Sequence, residues 1–458
     1  MQLESSNEFL GKEPIGKLLR KLAIPTITAQ LINMMYNIID RMYIGHMPNN
    51  GALALTGVGV CMPIIMIITA FAMLISSGGA PRASIMMGEG DVDEAEKVLG
   101  NSFTFQIIIS IILTIVLLIW NRDILMVFGA SENTIQYATA YMSVYAIGTF
   151  FVQTTLGMNA FLTAQGFAKT AMISVLIGAI TNIVLDPIFI YALNMGVSGA
   201  ALATIISQFL SSVWIILFLT GNNTILKIRL SNMRLKAIYI LPSLALGLGS
   251  FIMSASESLL AVCFNSSLLK HGGDVAVGAM TIIVSVLQFA MLPLQGLAQG
   301  AQPISSYNFG AKNSQRVKDT FKLLLKISLG FSTIIWLMIM LFPQLFIRIF
   351  TDNSGLMSFS ISAIRTYFTV MFIFGVQIAC QMTFISIGNA KSSIIVAVVR
   401  KFVLLIPLIY IMPQIFKNNQ VLAVYAAEPV ADIIAVIFTA ILFTVQFKKS
   451  LNSLVSFY

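Results

Sequence analysis

Charged side chains are scarce in this chain of 458 residues. Asp, Glu, Lys and Arg make up 10% of it, against about 25% in a soluble domain. That leaves too little polar surface to cover a water-soluble particle of this size. Histidine occurs only as His46 and His271, both at segment ends, and cysteine only as Cys61, Cys263 and Cys380. Each cysteine stands alone in an apolar stretch, so neither a disulfide framework nor a clustered metal site is expected. No run of the type G-x-x-x-x-G-K-[ST] occurs, which removes ATP as a direct energy source. Alternating-polarity segments of the membrane-barrel kind are also absent, so helices are the spanning structure left. Without core histidines, and with scattered cysteines, no convergent nucleophile, base or metal set emerges, and an enzyme is not expected.

Long apolar runs are what the chain has in abundance. Hydrophobic residues make up 57%, and the mean hydropathy is +0.90. A helix crosses the hydrocarbon with roughly 20 apolar residues. Twelve spans are read at 18–45, 53–77, 101–120, 135–163, 170–193, 197–220, 237–268, 276–305, 320–343, 360–387, 393–416 and 420–446. The longer ones imply tilt, kinks or extension beyond the hydrocarbon. Lys and Arg set the orientation. Eighteen of them, including Lys12, Arg20, Arg82, Lys97, Lys169, Lys227, Arg316, Lys391 and Lys449, fall on one set of loops and tails. Six fall on the other set: Arg41, Arg122, Lys270, Arg348, Arg365 and Lys417. Lys326, Arg400 and Lys401 lie within spans or near their ends and do not count. Both termini are therefore expected in the cytoplasm. The polar start MQLESSNEFLGKEPIGKLLRKL lacks a small-residue cleavage site and reads as a retained cytoplasmic tail. The net charge of +9 is thus a topology signal, not a nucleic-acid patch.

The two halves repeat. GGAPRASIMMGEG (78–90) aligns with QGAQPISSYNFGA (299–311), pairing Pro81 with Pro303 and Gly88 with Gly310. GFAKTAMIS (166–174) aligns with GNAKSSIIV (388–396) at the same shift of 222 residues. Six spans per half restore the same orientation, so the repeats are parallel about an axis along the membrane normal. The expected fold is an all-α integral membrane protein of twelve helices in two six-helix lobes. The expected division is an N-lobe over 1–220, a cytoplasmic linker over 221–236 and a C-lobe over 237–458, with a central cavity between the lobes.

An ionisable residue at bilayer depth is costly, and is a functional candidate by default. Gln30, Asn33, Asn37 and Asp40 follow at spacings of three, four and three, which puts them on one face of the first span. Tyr36 lies beside them. Asp40 reads as a protonatable or Na⁺-binding carboxylate, or else as a partner of adjacent Arg41. Asp186 shares a face of the fifth span with Asn182 one turn earlier. Pro187 follows and cannot donate the backbone hydrogen bond expected to Ile183. Carbonyl, amide and carboxylate oxygens then converge, the ligand type that hard cations favour. Glu257 lies in the seventh span between Ser254 and Ser258. Aligning Pro25 with Pro242, a shift of 217, makes Glu257 the repeat partner of Asp40. It is either a coupling group or an inherited carboxylate satisfied by the serines. Glu428 and Asp432 share a face of the last span, bent by Pro429, and a structural ion pair with Arg400 is expected. Ile406, Pro407 and Leu408 leave the second half without a match for Asp186. The better cation site therefore belongs to the first half. Tyr36, Asn37, Asn159, Gln288 and Gln381 are candidates for lining the cavity. Gln288 runs on to Gln295, Gln299 and Gln302, and Gln377 precedes Gln381 on one face. Such groups line cavities or hold helices together. The 25 methionines and 32 phenylalanines suit adaptable binding of apolar cations, although most must face lipid or other helices.

Four motifs carry a resemblance over essentially the full length: LAIPTITAQLINMMYNIIDRMYIG (22–45), TNIVLDPIFIY (181–191), GVSGAALATIISQ (196–208) and GLAQGAQPISSYNFGA (296–311). In this ordered set the chain resembles the multidrug and toxic-compound extrusion (MATE) family, in its DinF/MepA-like branch. The resemblance implies an N-lobe cation site of Asp40, Asn182, Asp186 and Thr204, with Tyr141 joining it. It leaves H⁺ and Na⁺ both open as the coupling ion. A seventh-span Glu couples transport in another branch, which bears on Glu257. The implied function is a secondary active multidrug efflux antiporter exporting lipophilic, often cationic compounds in exchange for H⁺ or Na⁺. Pro25 is the candidate bend of the moving first helix. The alternative is a lipid-linked precursor flippase, or another small-molecule exporter, of the same two-lobe architecture. A flippase needs a strongly basic cavity, whereas the embedded charges here are mostly acidic. The expected partners are drug-like small molecules and the lipid bilayer, without nucleic acid, ATP or a cofactor beyond the coupling ion. A monomer in the plasma membrane is expected.

Overall fold

The computed structural model describes residues 8–48, 51–351 and 353–455, so the first seven residues of the tail lie outside it. In hydrocarbon every backbone polar group must bond within the protein. Accordingly every regular element among the described residues is helical. The first lobe contains α1 (Ile15–Gly45), α2 (Gly51–Gly88) and α3 (Val92–Ile119). It continues with α4 (Ile135–Ile147 and Thr149–Ala164), α5 (Ala168–Pro187, widening into a π-helical turn Ile188–Ala192) and α6 (Gly196–Thr220). The second lobe holds α7 (237–272), α8 (274–310) and α9 (Ser314–Leu341). It ends with α10 (Ser354–Tyr367 and Phe374–Ser386), α11 (Ala390–Val398, a π-helical turn Val399–Leu405, then Ile406–Ile415) and α12 (Gln420–Val455).

Among these residues nine helices are individually long and apolar enough to cross a membrane, and the α10 pair, bent by 44°, adds a tenth. One of the nine, Ala237–Gly310, holds two spans. It divides where Gly273 takes φ +64°, a conformation that glycine adopts without strain. The fourth span breaks at Gly148 into pieces of 13 and 16 residues, each too short alone. Twelve spans result. α1 runs unbroken through Pro25. The apolar runs ended too early at several places. Arg82, expected in a loop, lies on α2, which continues to Gly88. Its Nη1 donates to Tyr239 O at 2.9 Å. Helices extend past the hydrocarbon, where charge is tolerated, so a hydropathy limit stops short of the helix end.

The repeat survives in atomic detail. Asp91 caps α3 by accepting from Glu94 N at 3.0 Å, and Asn313, 222 residues on, caps α9 by accepting from Arg316 N at 3.1 Å. Gly166 and Gly388 both turn the chain at positive φ, +91° and +73°. The segment at 221–236 lies against the first lobe. Gln165 Oε1 accepts from Thr224 Oγ1, Ile225 N and Leu226 N at 2.8–2.9 Å. Lys236 N donates to Asn101 Oδ1 at 2.6 Å.

The lobes meet through glycines near the basic loops. A Cβ on Gly78 would lie 1.8 Å from Ser243 O, and one on Gly247 would lie 1.8 Å from Leu74 O. Gly88 and Gly310 are reciprocal. A Cβ on Gly88 would lie 2.0 Å from Tyr307 O, and one on Gly310 1.9 Å from Ile85 O. Since 85 and 307, like 88 and 310, are repeat partners, the pseudo-twofold axis passes between α2 and α8. Small residues allow this close approach in lipid, where apolar packing alone gives little drive. Thr26 Oγ1 to Gly296 O (2.6 Å) and Gln30 Nε2 to Gln299 Oε1 (3.2 Å) join α1 to α8 on the same half. Phe71 against Phe251, with ring centroids 5.1 Å apart, lies further along this seam. Beyond it Met35, Ile38 and Met42 of α1 and Leu259 and Val262 of α7 are exposed. These contacts join the lobes at the basic-loop end.

Valine at Gly78 or Gly247 puts a side chain where the facing carbonyl lies. Such overpacking costs typically about 1–3 kcal/mol, so the joined end is expected to open. Spin labels at Glu89 and Gln315 should move apart by several ångströms in pulsed dipolar measurements. An unchanged distance would show that the seam does not need these glycines.

Candidate functional site

α1 and α5 lie side by side, and their acids meet. Asp40 is 7% exposed and Asp186 is fully buried. The two carboxyl groups are within hydrogen-bonding reach of one another. Arg41, the alternative partner, is exposed and turns to Met62 Sδ at 3.4 Å. The closest charged neighbour of Asp40 is therefore a second acid. Asn182 Nδ2 donates to Asp186 Oδ1 at 3.3 Å and to Thr204 Oγ1 of α6 at 3.4 Å. Tyr141 of α4 is buried, stacks on Tyr145 with centroids 6.0 Å apart, and lies near Thr204 and Asp40. Tyr191 Oη donates to Tyr43 O at 2.6 Å, a second tie between α5 and α1. The five residues Asp40, Tyr141, Asn182, Asp186 and Thr204 thus form one cluster.

Three buried oxygens of the cluster have no hydrogen-bond partner among the described residues: Asp40 Oδ1, Asn182 Oδ1 and Asp186 Oδ2. A buried acceptor without a donor is costly, and two adjacent carboxylates disfavour joint ionisation. A proton shared between the acids or a hard cation bound by the oxygens relieves both costs, so this donor set fits either. Among the described residues no group of three His, Cys, Asp or Glu side chains gathers as a metal site.

The other polar residues divide. The stripe on α1 has three destinations. Gln30 bonds to the opposite lobe, Asn37 is exposed and donates to Asn33 O at 2.6 Å, and Asp40 is buried. Tyr36 is half-buried with its hydroxyl beside Asn37. Asn159 donates to Ala171 O at 3.3 Å, and its repeat partner Gln381 donates to Ser393 O at 3.3 Å and Ser393 Oγ at 2.8 Å. Since 171 and 393 are also 222 apart, these two hold equivalent helix pairs together within each lobe. Gln288 is exposed on α8.

The second lobe carries charge of both signs. Arg400 Nε donates to Asp432 Oδ1 at 2.9 Å, and Nη2 donates to Glu428 Oε1 at 3.1 Å. All three are buried, and the Arg400 guanidinium lies 4.7 Å from the Phe374 ring centroid. Glu257 is not satisfied by its neighbouring serines, since Ser258 Oγ turns to Met66 Sδ at 3.9 Å. Its Oε1 instead accepts from Lys401 Nζ at 2.8 Å. Half of the Glu257 side chain is exposed, at 51%, and the adjacent Ser258 meets Met66 of the first lobe. It therefore looks into the cleft between the lobes. Lys401 is the participant that span counting set aside. Two adjacent cations in one apolar segment need two partners, and that signal was available. Which acid serves which cation depended on α7 lying against α11.

Arg400→Gln would leave two buried carboxylates without their cation. Breaking a buried pair costs about 3–5 kcal/mol. The melting temperature of the detergent-solubilised protein is expected to fall by several degrees, while Arg122→Gln, at the exposed pair with Glu132, leaves it in place. An unaltered melt for Arg400→Gln would rule out a structural role for the pair.

A family model described as MatE matches residues 25–188 and 249–411, once in each lobe and over more than half of the chain. The multidrug export protein MepA of Staphylococcus haemolyticus is 22% identical over 428 residues, 93% of this chain and 94% of that protein. MepA of Staphylococcus aureus strain bovine RF122 / ET3-1 is 23% identical over 415 residues, 90% of this chain and 91% of that protein. Among solved structures, a MATE protein in its bent conformation superposes with a TM-score of 0.91 at 23% identity, covering 99% of this chain and 100% of that one, and so shares the fold. A duplicated match, a common fold and a full-length likeness to export proteins agree: this chain belongs to the MATE family, the multidrug and toxic-compound extrusion transporters.

Proposed function

We propose that the chain is a secondary active multidrug efflux antiporter, which exports lipophilic, often cationic compounds in exchange for inward H⁺ or Na⁺. The observation that carries this reading is the buried Asp40–Asp186 pair with its three donorless oxygens. A pair of acids at bilayer depth that forms no ion pair with a base among the described residues favours whichever state brings it a cation. The basic loops give the joined end as cytoplasmic. On this reading the opposite end opens to the outside, from which the coupling cation reaches Asp40. Substrate binding is assigned to the cleft, where Met35 and Met42 are exposed and adaptable. The coupling cation drives the cycle only by binding the two lobe arrangements unequally.

α1 is suited to carry that difference. Its outer half carries Asp40 against α5, and its inner half is bonded to α8 of the other lobe through Thr26 and Gln30. Neutralising the acid pair changes what holds the outer half. The family-wide export role and the full-length likeness to MepA support drug-like compounds as substrates. A flippase for polyanionic lipid-linked precursors is disfavoured by the embedded charges. Asp40, Asp186, Glu257, Glu428 and Asp432 outnumber Arg400 and Lys401. A monomer in the plasma membrane, with both termini cytoplasmic, completes the reading.

Proteoliposomes loaded with tetraphenylphosphonium test it. Asp40→Asn and Asp186→Asn are each expected to reduce cation-driven export at least tenfold while leaving the melting temperature near that of the wild type. Full export by either variant would remove the N-lobe site from the mechanism. Omitting Na⁺ at a fixed pH gradient separates the ions: unimpaired export assigns coupling to H⁺, and its loss assigns it to Na⁺.

A further inference from the structure

We infer that Lys401 is a built-in counter-cation: its ammonium holds, at Glu257, the place that an exchangeable cation takes at Asp40. This rests on the N-lobe reading above. Glu257 is the repeat partner of Asp40, and the repeat uses the same two helices. Asp40 of α1 faces α5, and Glu257 of α7 faces α11. Aligning Pro187 with Pro407, a shift of 220, brings Lys401 level with Thr181, next to Asn182. The helix that offers the Asp186 carboxylate to Asp40 therefore offers an ammonium to Glu257. One pair is acid against acid; the other is acid against base at 2.8 Å. The first must acquire a cation to become neutral, and the second already has one.

The geometry keeps this cation in place. Glu257 is open to the cleft, while the Lys401 side chain is 5% exposed and approaches the carboxylate from within the lobe. Its position in the π-helical turn Val399–Leu405 sends Arg400 and Lys401, adjacent in sequence, both into the interior. A helix widening of this kind is often found at functional sites. The other charged groups nearby are occupied with each other: Arg400 takes Glu428 and Asp432. The one carboxylate in excess of the bases lies with that buried trio, away from the cleft. Glu257 therefore stays paired, α7 stays fastened to α11, and the exchangeable cation is confined to α1 and α5.

The test uses the full-length chain in detergent. Bound cation is read by Na⁺ titration at fixed pH and by proton uptake at fixed Na⁺. Asp40→Asn is expected to lose the N-lobe cation. Adding Lys401→Met is expected to restore one bound cation per chain, on Glu257, and adding Glu257→Gln to both removes it again. If the Asp40→Asn, Lys401→Met protein binds no more cation than Asp40→Asn alone, the inference is overturned. If Asp40→Asn binds cation like the wild type, the N-lobe reading fails instead, and the increment from Lys401→Met still decides this inference. Lys401→Met frees a carboxylate and can impair folding, so a neutral pair gives a second measurement. Glu257→Gln with Lys401→Met is expected to keep the wild-type number of cations moved per tetraphenylphosphonium exported. A fall by one cation would equally overturn it.

Discussion

Charge buried at bilayer depth must find a partner, and this constraint organises the molecule. Hydrocarbon supplies no water to an acid, so an embedded carboxylate is paired, protonated or ion-bound. The two lobes answer differently from a common frame. In the second, Arg400 serves Glu428 and Asp432, and Lys401 serves Glu257. In the first, Asp40 and Asp186 face one another with no base between them. A chain that pairs the second lobe's buried acids with Arg400 and Lys401, yet turns Arg41 away to Met62, is not short of lysine or arginine. The unneutralised pair is better explained as the place where charge is left to be supplied from outside.

The frame itself is a product of small residues and repetition. Gly88 and Gly310 exchange equivalent contacts across the pseudo-twofold axis, and Gly78 and Gly247 let α2 and α7 meet backbone to backbone. Such contacts have few torsions to adjust, which suits the rigid-body rocking described for parallel-repeat transporters. The seam near the basic loops makes one end tight while leaving the cleft above it open. Asymmetry is then laid onto symmetry through side chains alone. The same helix pairs hold the acid pair and the acid–lysine pair.

The sequence made the frame legible because hydropathy and repetition are long-range signals. Twelve apolar runs and the shift of 222 residues anticipated the two lobes. The structure carries the same shift into details no motif had marked, such as the paired caps at Asp91 and Asn313. Asp40, Asn182 and Asp186 were legible because acids and amides at helical spacing stand out against an apolar background. Thr204 and Tyr141 carried no such signal and entered only through family resemblance. Three features were not legible. The extension of α2 through Arg82 was hidden because polarity rises at the interface before the helix ends. The division of the stripe on α1 depended on which lobe each turn would meet. The Lys401–Glu257 contact joins residues 144 apart in the chain. It follows from the packing of α7 on α11, which hydropathy does not encode.

α1 links the acid pair to the opposite lobe. From Gln30 to Asp40 is ten residues, about 15 Å along a helix at 1.5 Å per residue. Over that length α1 changes allegiance, from α8 of the second lobe to α5 of the first. On the proposed reading, a cation at Asp40 would act at one end of a rod whose other end is bonded to the opposite lobe. No side-chain relay between lobes is needed, because the helix backbone transmits the shift. On the other side of the axis the corresponding helix, α7, is held by Lys401 and has no equivalent freedom. Rocking driven from one side only requires one moving rod and one fixed one. The substitution of a lysine for an exchangeable cation supplies that difference without altering the fold.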